Sequence, residues 1–509
     1  MNQNKVAISQ PMQRQRMKRK QREIIRRVIV RGLLVLESPT CLSSGDADSP
    51  TDMPLMRDSI LQRALLTGAS IAGALRNYLR EYEHNYGTNG HKNDLATSLF
   101  GGMRQDDDGN QSPLIVHDAV SSRIPHIELR DGVKIDGKTG TAEENAKYDL
   151  ELLEAGTEFP LQFELLIEQN SDSAQTLINA LAIALKGLEN AEISLGMKKR
   201  RGFGQCQVKK WQVWNFDLTQ PSDRLQWLTY QHWVPGLLPN DEIHSDIVSA
   251  LRADLSGVLD RRDRFTIQAE FSLDGSLLIR SGQADIGRSP DVVHLKSHRN
   301  QDDGPVAVLS GTSLAGVLRH RAERIINTIH GDLTLVDSLF GFVDKNDRQA
   351  QSSRLIVYET EIQNSADLVQ TRIAIDRFTG GALHGALFDE QPVFGDKDTT
   401  LSLSIELRQP QEAEIGLLLL LLKDLWTSDL SVGGGSSIGR GRLQGKEAVL
   451  EWHKPENHQK WRIKQSAGPP ARLQISDQIN TNQSEDAIRA TLETYVQALN
   501  SPEMQEGQS

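Results

Sequence analysis

Leu66-Thr67-Gly68-Ala69-Ser70-Ile71-Ala72-Gly73-Ala74-Leu75-Arg76 recurs 243 residues later as Leu309-Ser310-Gly311-Thr312-Ser313-Leu314-Ala315-Gly316-Val317-Leu318-Arg319. Four more pairs follow in the same order. Ser98-Leu99-Phe100-Gly101 returns as Ser338-Leu339-Phe340-Gly341 at offset 240, and Leu114-Ile115-Val116 as Leu355-Ile356-Val357 at offset 241. Ile135-Asp136 with Thr139-Gly140 returns as Ile375-Asp376 with Thr379-Gly380 at offset 240, and Gly202-Phe203-Gly204 as Gly439-Arg440-Gly441 at offset 237. Five matches in one order at nearly one offset mark a duplicated domain, with a period too long for a solenoid.

The same elements are predicted in each copy. Alternating residues predict a strand at 27–37 and at 265–279. A helix follows, with Ser70 and Ser313 suited to its N-cap. A second strand (114–120, 355–361) leads to a long polar excursion (124–158, 363–398) and a third strand (161–168, 401–407). A second helix (173–188, 412–426) and a Gly-rich loop precede the last strand (205–214, 442–452). The order βαββαβ predicts an α+β fold of two tandem ferredoxin-like domains, a class whose open sheet face serves RNA-recognition modules. The chain then divides into a basic arm (1–26), a first domain (27–215), a Trp-rich linker (216–263), a second domain (264–452) and a polar tail (453–509) with a short helix near 487–499. Four of the seven tryptophans fall between Trp211 and Trp233, so the linker is expected to pack on a domain.

Composition narrows the class. A length of 509 residues allows two to four domains. The longest apolar run, residues 417–422, is too short for a membrane span and reads as a core helix. The basic N-terminus has no apolar stretch after it, so no signal peptide is expected. Cys41 and Cys206 are the only cysteines. They support neither a disulfide framework nor a four-ligand zinc site, and a reducing cytoplasm is the natural setting. The net charge of −11 would argue against a nucleic-acid binder if charge were evenly spread. It is segregated: residues 14–31 carry nine Lys or Arg and one acid, Glu23.

Two loops stand out. Gly196-Met197-Lys198-Lys199-Arg200-Arg201-Gly202-Phe203-Gly204 combines close backbone approach with four consecutive cations. Its counterpart, Gly433-Gly434-Gly435-Ser436-Ser437-Ile438-Gly439-Arg440-Gly441-Arg442, is also basic. Neither matches a nucleotide-cofactor loop. One such loop alone would read as a turn-rich hairpin; two at equivalent positions point to phosphate binding. The helix starts at Gly68-Ala69-Ser70 and Gly311-Thr312-Ser313 can hold an anion at their free N–H groups. Before the first helix stand Asp46, Asp48, Asp52 and Asp58, and in the second copy Asp285, Asp291, Asp302 and Asp303. A carboxylate there would lie beside a phosphodiester and could hold Mg²⁺ or orient an attacking hydroxyl. The histidines His84, His91, His117, His126, His294 and His298 show no paired metal spacing and read as surface or half-buried residues.

This ordered set of motifs, twice over, resembles the RAMP superfamily, specifically the backbone subunits of type III CRISPR effector complexes. The resemblance covers most of the chain, and two units in one polypeptide are similar to the fused backbone subunits of the type III-D variant. It implies binding of CRISPR guide RNA and complementary target RNA, partnership with the other effector subunits, and a role in antiviral defence. The RNA contacts it implies are Gly68, Ser70, Arg76, Lys198, Lys199, Arg200, Arg201, Gly202 and Gly204, with Gly311, Ser313, Arg319, Gly439, Arg440, Gly441 and Arg442 in the second copy. The family pattern around the catalytic aspartate, Asp-x-Pro-aliphatic-aliphatic-basic-Asp, is matched by Asp52-Met53-Pro54-Leu55-Met56-Arg57-Asp58. Asp291-Val292-Val293-His294-Leu295-Lys296-Ser297 keeps the Asp and the basic residue but loses the Pro and the second Asp. The catalytic and metal-binding expectation is therefore Asp52, then Asp291, with Mg²⁺ as cofactor.

The resemblance further implies that each excursion is a thumb that crosses the guide–target duplex and splays one base pair. The target's own 2′-hydroxyl would then attack in line, making the chain an endoribonuclease within a multisubunit complex. Three other readings stay open. One is a non-catalytic RNA-binding scaffold. Another is a guide-processing nuclease, which usually needs a side-chain acid–base pair such as His and Tyr, and no such pair is evident. The third is an assembly protein with a duplicated ferredoxin-like fold and no nucleic acid.

Overall fold

The computed structural model describes residues 23–43, 53–87, 94–102, 111–137, 139–169, 174–281, 290–299, 304–344, 349–396, 398–466, 472–479 and 483–500. The basic arm's first 22 residues, His91, Asp46, Asp48, Asp52, Asp285, Asp302 and Asp303 lie outside them. No described helix is long and apolar enough to cross a membrane.

In the first unit, β1 (Ile24–Leu36) is the inner strand of a four-stranded antiparallel sheet. The other strands are β2 (Leu114–Val116), β5 (Glu158–Glu168) and β6 (Cys206–Asp217), in the order β2-β5-β1-β6. Two helices cross one face: α1 (Gly68–His84), after β1, and α2 (Ala174–Glu189), after β5. Ile71, Leu75, Tyr78 and Leu79 share the buried stripe of α1 at helical spacing. They meet Val28, Val30, Leu34, Phe163 and Leu165 of the sheet in one apolar core.

The second unit repeats this plan. Its β7 (Arg264–Asp274) lies between β11 (Thr400–Arg408) and β12 (Arg442–His453), with β8 (Leu355–Val357) at the edge. The helices are α3 (Gly311–Thr328) and α4 (Glu412–Trp426). The run 417–422 lies in α4, where Leu417, Leu418, Leu421 and Leu422 are buried as expected of a core helix. The stretch read as a polar tail is folded. It adds β13 (Gln459–Gln465) and β14 (Leu473–Asp477) to the sheet, and α5 (Glu485–Gln497) packs on α4, with Gly416 against Tyr495. Trp461 and Tyr495 supply the apolar surface that a count of polar residues hides.

Each excursion is a hairpin, as expected: β3 (Ile127–Ile135) with β4 (Ala142–Leu153), and β9 (Gln370–Ile375) with β10 (Ala382–Gln391). The repeated Ile-Asp-x-x-Thr-Gly motif builds their tips. The Asp136 carboxylate accepts the Thr139 N–H at 2.9 Å, and that of Asp376 accepts the N–H groups of Phe378 and Thr379 at 2.8 Å. Gly140 and Gly380 then turn the chain at φ +67° and +65°.

The linker departs from expectation in one respect that bears on binding. The Arg31 side chain is buried and donates to the carbonyls of Gln231, Val234 and Gly236, and Gln212 exchanges hydrogen bonds with Leu238. The sheet face expected to lie open in the first unit is therefore covered. The outer face of the second sheet is exposed but carries Gln268, Glu270, Ser402 and Gln444, a poor surface for phosphates.

Candidate nucleic-acid interface

The two units meet head to tail. The loop of the first unit, with a 3₁₀ turn at Lys199–Arg201, rests on the start of α3 and on β8 of the second. Gly311 is needed there, because a Cβ would collide with the carbonyls of Val357 and Arg201. Gly202 has φ +86°, and a Cβ on it would strike the Glu359 N–H. Glu359 is fully enclosed and is held by Arg130 of the first thumb, whose Nη2 lies 3.1 Å from Oε1, and by Arg299 at 2.8 Å. Burial alone would raise the Glu359 carboxyl; the two guanidinium groups outweigh it and hold it below its ordinary value. Arg408 pairs with Glu81 at 3.2 Å, and Arg262 with Glu192 at 2.8 Å.

Between the units opens a cleft of about 750 Å³. Thr67, Ser70 and Asn77 of the first unit, the loop residues Lys198, Lys199 and Arg200, and Tyr358 and Arg408 of the second line it. Among the described residues no carboxylate forms an ion pair with Lys198, Lys199, Arg200 or Arg201, and one Arg201 Nη is buried without a hydrogen-bond partner. Lys198 lies 3.6 Å from the centre of the Tyr148 ring. Lys199 keeps solvent access while protein crowds it. That desolvation, then the charges of Arg200 and Arg408, push its pKa below the ordinary value. Arg200 is lowered by burial and then by Arg408, and Arg201 by burial and then by Arg319. Glu81 and Glu192 also line the cleft, but they are paired with Arg408 and Arg262, and cations crowded together beyond that pairing are what an anion relieves.

The helix starts differ from expectation by one position class. Thr67 and Ser310 are the N-caps, accepting the N–H of Ser70 at 3.3 Å and of Ser313 at 3.2 Å. Ser70 and Ser313 lie in the first turn, each with its hydroxyl 2.9 Å from the cap hydroxyl. Gly68 donates its N–H to Asp118 at 2.6 Å, and a Cβ there would strike the Val116 carbonyl.

Arg76 and Arg319 have their own unit's carbonyls as partners: Gly101 at 3.0 Å and Gly341 at 2.8 Å. These contacts tie the Gly-x-Ser helix to the Ser-Leu-Phe-Gly segment in each copy. Gly204 and Gly441, at φ +80° and +75°, close their loops against the carbonyls of Leu195 and Val432. Gly439, also at positive φ, and Arg442 are exposed. Arg440 is buried and pairs with Glu390 at 2.9 Å, so its charge is matched inside the fold. The second loop thus exposes Ser436, Ser437 and the single cation Arg442 where the first carries four consecutive cations.

Asp291 is exposed, and its Oδ2 accepts the Asp389 N–H at 2.9 Å. The adjacent Val292 pairs in parallel with Glu390 of β10, just as Met53, beside Asp52, pairs in parallel with Leu150 of β4. The thumb base therefore pairs with Met53 and Val292 in the same parallel sense. Asp149 and Asp389 repeat at offset 240, next to those bridges. His294 replaces Leu55 in the degraded motif and is buried, unlike the surface or half-buried residue expected. It accepts the Ile279 N–H at Nδ1 (3.1 Å) and holds the Val308 carbonyl at Nε2 (3.1 Å). Among the described residues no group of three His, Cys, Asp or Glu could hold a metal.

A family model, described as the RAMP superfamily, matches residues 33–207 and 270–444. The chain belongs to the RAMP superfamily. Its two RAMP domains are the two units described, with mixed helix and strand content. RAMP proteins generally act with CRISPR RNA and other Cas subunits. A search of curated protein sequences finds no match to this RAMP chain.

Proposed function

We propose that the chain is a guide-RNA-binding backbone subunit of a type III CRISPR complex, two successive units fused as in the type III-D variant, and that it cleaves guide-paired RNA. The observation that carries the RNA reading is the inter-unit cleft, where Lys198, Lys199 and Arg200 form no ion pair among the described residues and share the lining with the capped start of α1. Guide phosphates enter there, read by charge and backbone shape and not by base identity. The strand order β2-β5-β1-β6, with helices after the first and third strands, supports the ferredoxin-like reading of each domain. The junction is heterologous: the loop of one unit meets the helix of the next. The second unit's loop and thumb therefore present the same elements to a neighbouring subunit.

Cleavage rests on Asp52 and Asp291. Asp291, whose carboxylate is exposed, and Asp52 would each hold Mg²⁺ by one carboxylate. The bound ion would supply charge stabilisation at the phosphate. The chain's own work is to splay one base pair with each thumb and free the ribose for in-line attack. The scaffold-only reading is favoured at the second site by the Asp389 N–H, which already occupies one Asp291 oxygen. Purifying the complex and sequencing the RNA that accompanies it tests the proposal. Guides with a shared repeat-derived end are expected; absence of RNA would overturn it.

A further inference from the structure

His126 and His298 are 172 residues apart in sequence, and the junction stacks their rings at 6.4 Å between centroids and 19° between planes. His126 is exposed at the base of the first thumb. His298 follows Asp291 on the corresponding loop of the second unit and is half-buried. Behind His298 lies Glu154, 1% exposed, both of whose carboxylate oxygens are buried without a hydrogen bond. The His298 Nδ1 is 3.5 Å from one of them. A buried carboxylate left without donors costs too much to be accidental packing. The remaining charged groups are spoken for. Glu128 binds Ser297 Oγ and the His298 N–H at 2.9 Å and lies 3.9 Å from His298 Nδ1, while Arg130 and Arg299 converge on Glu359.

We propose that His126 and His298 form a composite general acid–base pair for RNA cleavage at this junction, with Glu154 as the positioning residue. The proposal rests on the cleavage reading above and deepens it. One imidazole removes the proton of the target's 2′-hydroxyl, and the 2′-oxygen forms a bond to the adjacent phosphorus. The bond from phosphorus to the 5′-oxygen breaks. The other imidazole, protonated, gives its proton to that oxygen. The products are a 2′,3′-cyclic phosphate and a 5′-hydroxyl, and proton exchange with water resets the pair. Imidazole suits both roles because it exchanges protons near neutral pH. Glu154 holds His298 by its Nδ1 side, 3.5 Å away, and leaves Nε2 for the RNA.

The test uses the guide-loaded complex and a labelled complementary RNA, with His126→Ala, His298→Ala and Glu154→Gln. Each histidine variant is expected to slow cutting at one position by about 100-fold or more, the range of general acid–base catalysis. Guide binding and the other positions should be unchanged. The wild-type rate should be bell-shaped in pH at that position, each variant should lose one limb, and added imidazole should restore part of the His298→Ala rate. Glu154→Gln keeps the side-chain volume and should move the limb belonging to His298. Should a histidine variant fail to assemble, Glu154→Gln with an unaltered pH profile overturns the proposal by itself. If the wild type cuts and all three variants cut equally fast, the acid–base assignment falls while the cleavage reading stands. Loss of cutting at every position together with guide binding would also overturn it, as a structural role. A wild type that binds target without cutting overturns both.

Discussion

Mild acid should loosen the second unit's aspartate loop through His294. Burial, the largest influence, pushes this imidazole down to about 4, because its charged form would sit in the core. Both ring nitrogens are engaged in the neutral form, one accepting from Ile279 and one donating to Val308. In the unfolded chain the same group titrates near 6.5. Below that pH the unfolded state binds a proton that the folded state refuses until about 4, so stability falls as pH drops through this window. The gap corresponds to about 3 kcal/mol over the whole window and about 2 kcal/mol by pH 5. Denaturant unfolding of wild type and His294→Leu at pH 7 and pH 5 measures it. The variant should be weaker at pH 7 by about 1–3 kcal/mol, since two backbone groups lose their partner, yet should lose little more on acidification. Equal acid sensitivity of the two proteins would refute the reasoning.

Other consequences follow from the junction and the aspartates. Glu359→Ala leaves Arg299 without its buried counter-charge and Arg130 with Glu128 alone, and should destabilise the junction by about 3–5 kcal/mol, read by proteolysis between the units. Gly311→Ala should cost about 1–3 kcal/mol through overpacking against the Val357 and Arg201 carbonyls, whereas Gly316→Ala, which meets nothing, should not. Asp52→Ala should abolish one cleavage position and spare target binding. Asp291→Ala should abolish a second position if that site is active and change nothing if it is structural; product mapping with and without EDTA separates these cases.

The duplication and the order of elements were legible because each repeated motif performs a local task. The Ile-Asp-x-x-Thr-Gly segment caps its own hairpin tip, and the Arg of each Gly-x-Ser helix binds the carbonyl that ends Ser-Leu-Phe-Gly. The strand and helix positions agree within a few residues for the same reason. What distance in sequence hides was not legible. Arg130 meets Glu359 across 229 residues, and His126 meets His298 across the same junction. Arg440 reads as an RNA contact in a basic Gly-rich loop until the fold reveals Glu390 beside it. The covering of the first sheet by the linker depends on Arg31 finding three carbonyls some 200 residues away, which no local pattern announces.

The cleft is the centre of the account, and the salt dependence of guide binding tests it most directly. Each phosphate neutralised by Lys or Arg contributes about 0.7 to the slope of log affinity against log salt for a single strand. Replacing Lys198, Lys199, Arg200 and Arg201 together by Ala should flatten the slope by up to about 3, weaken all guide sequences alike, and leave the fold intact. A quadruple variant with the wild-type slope would contradict the claim that guide phosphates bind between the two units.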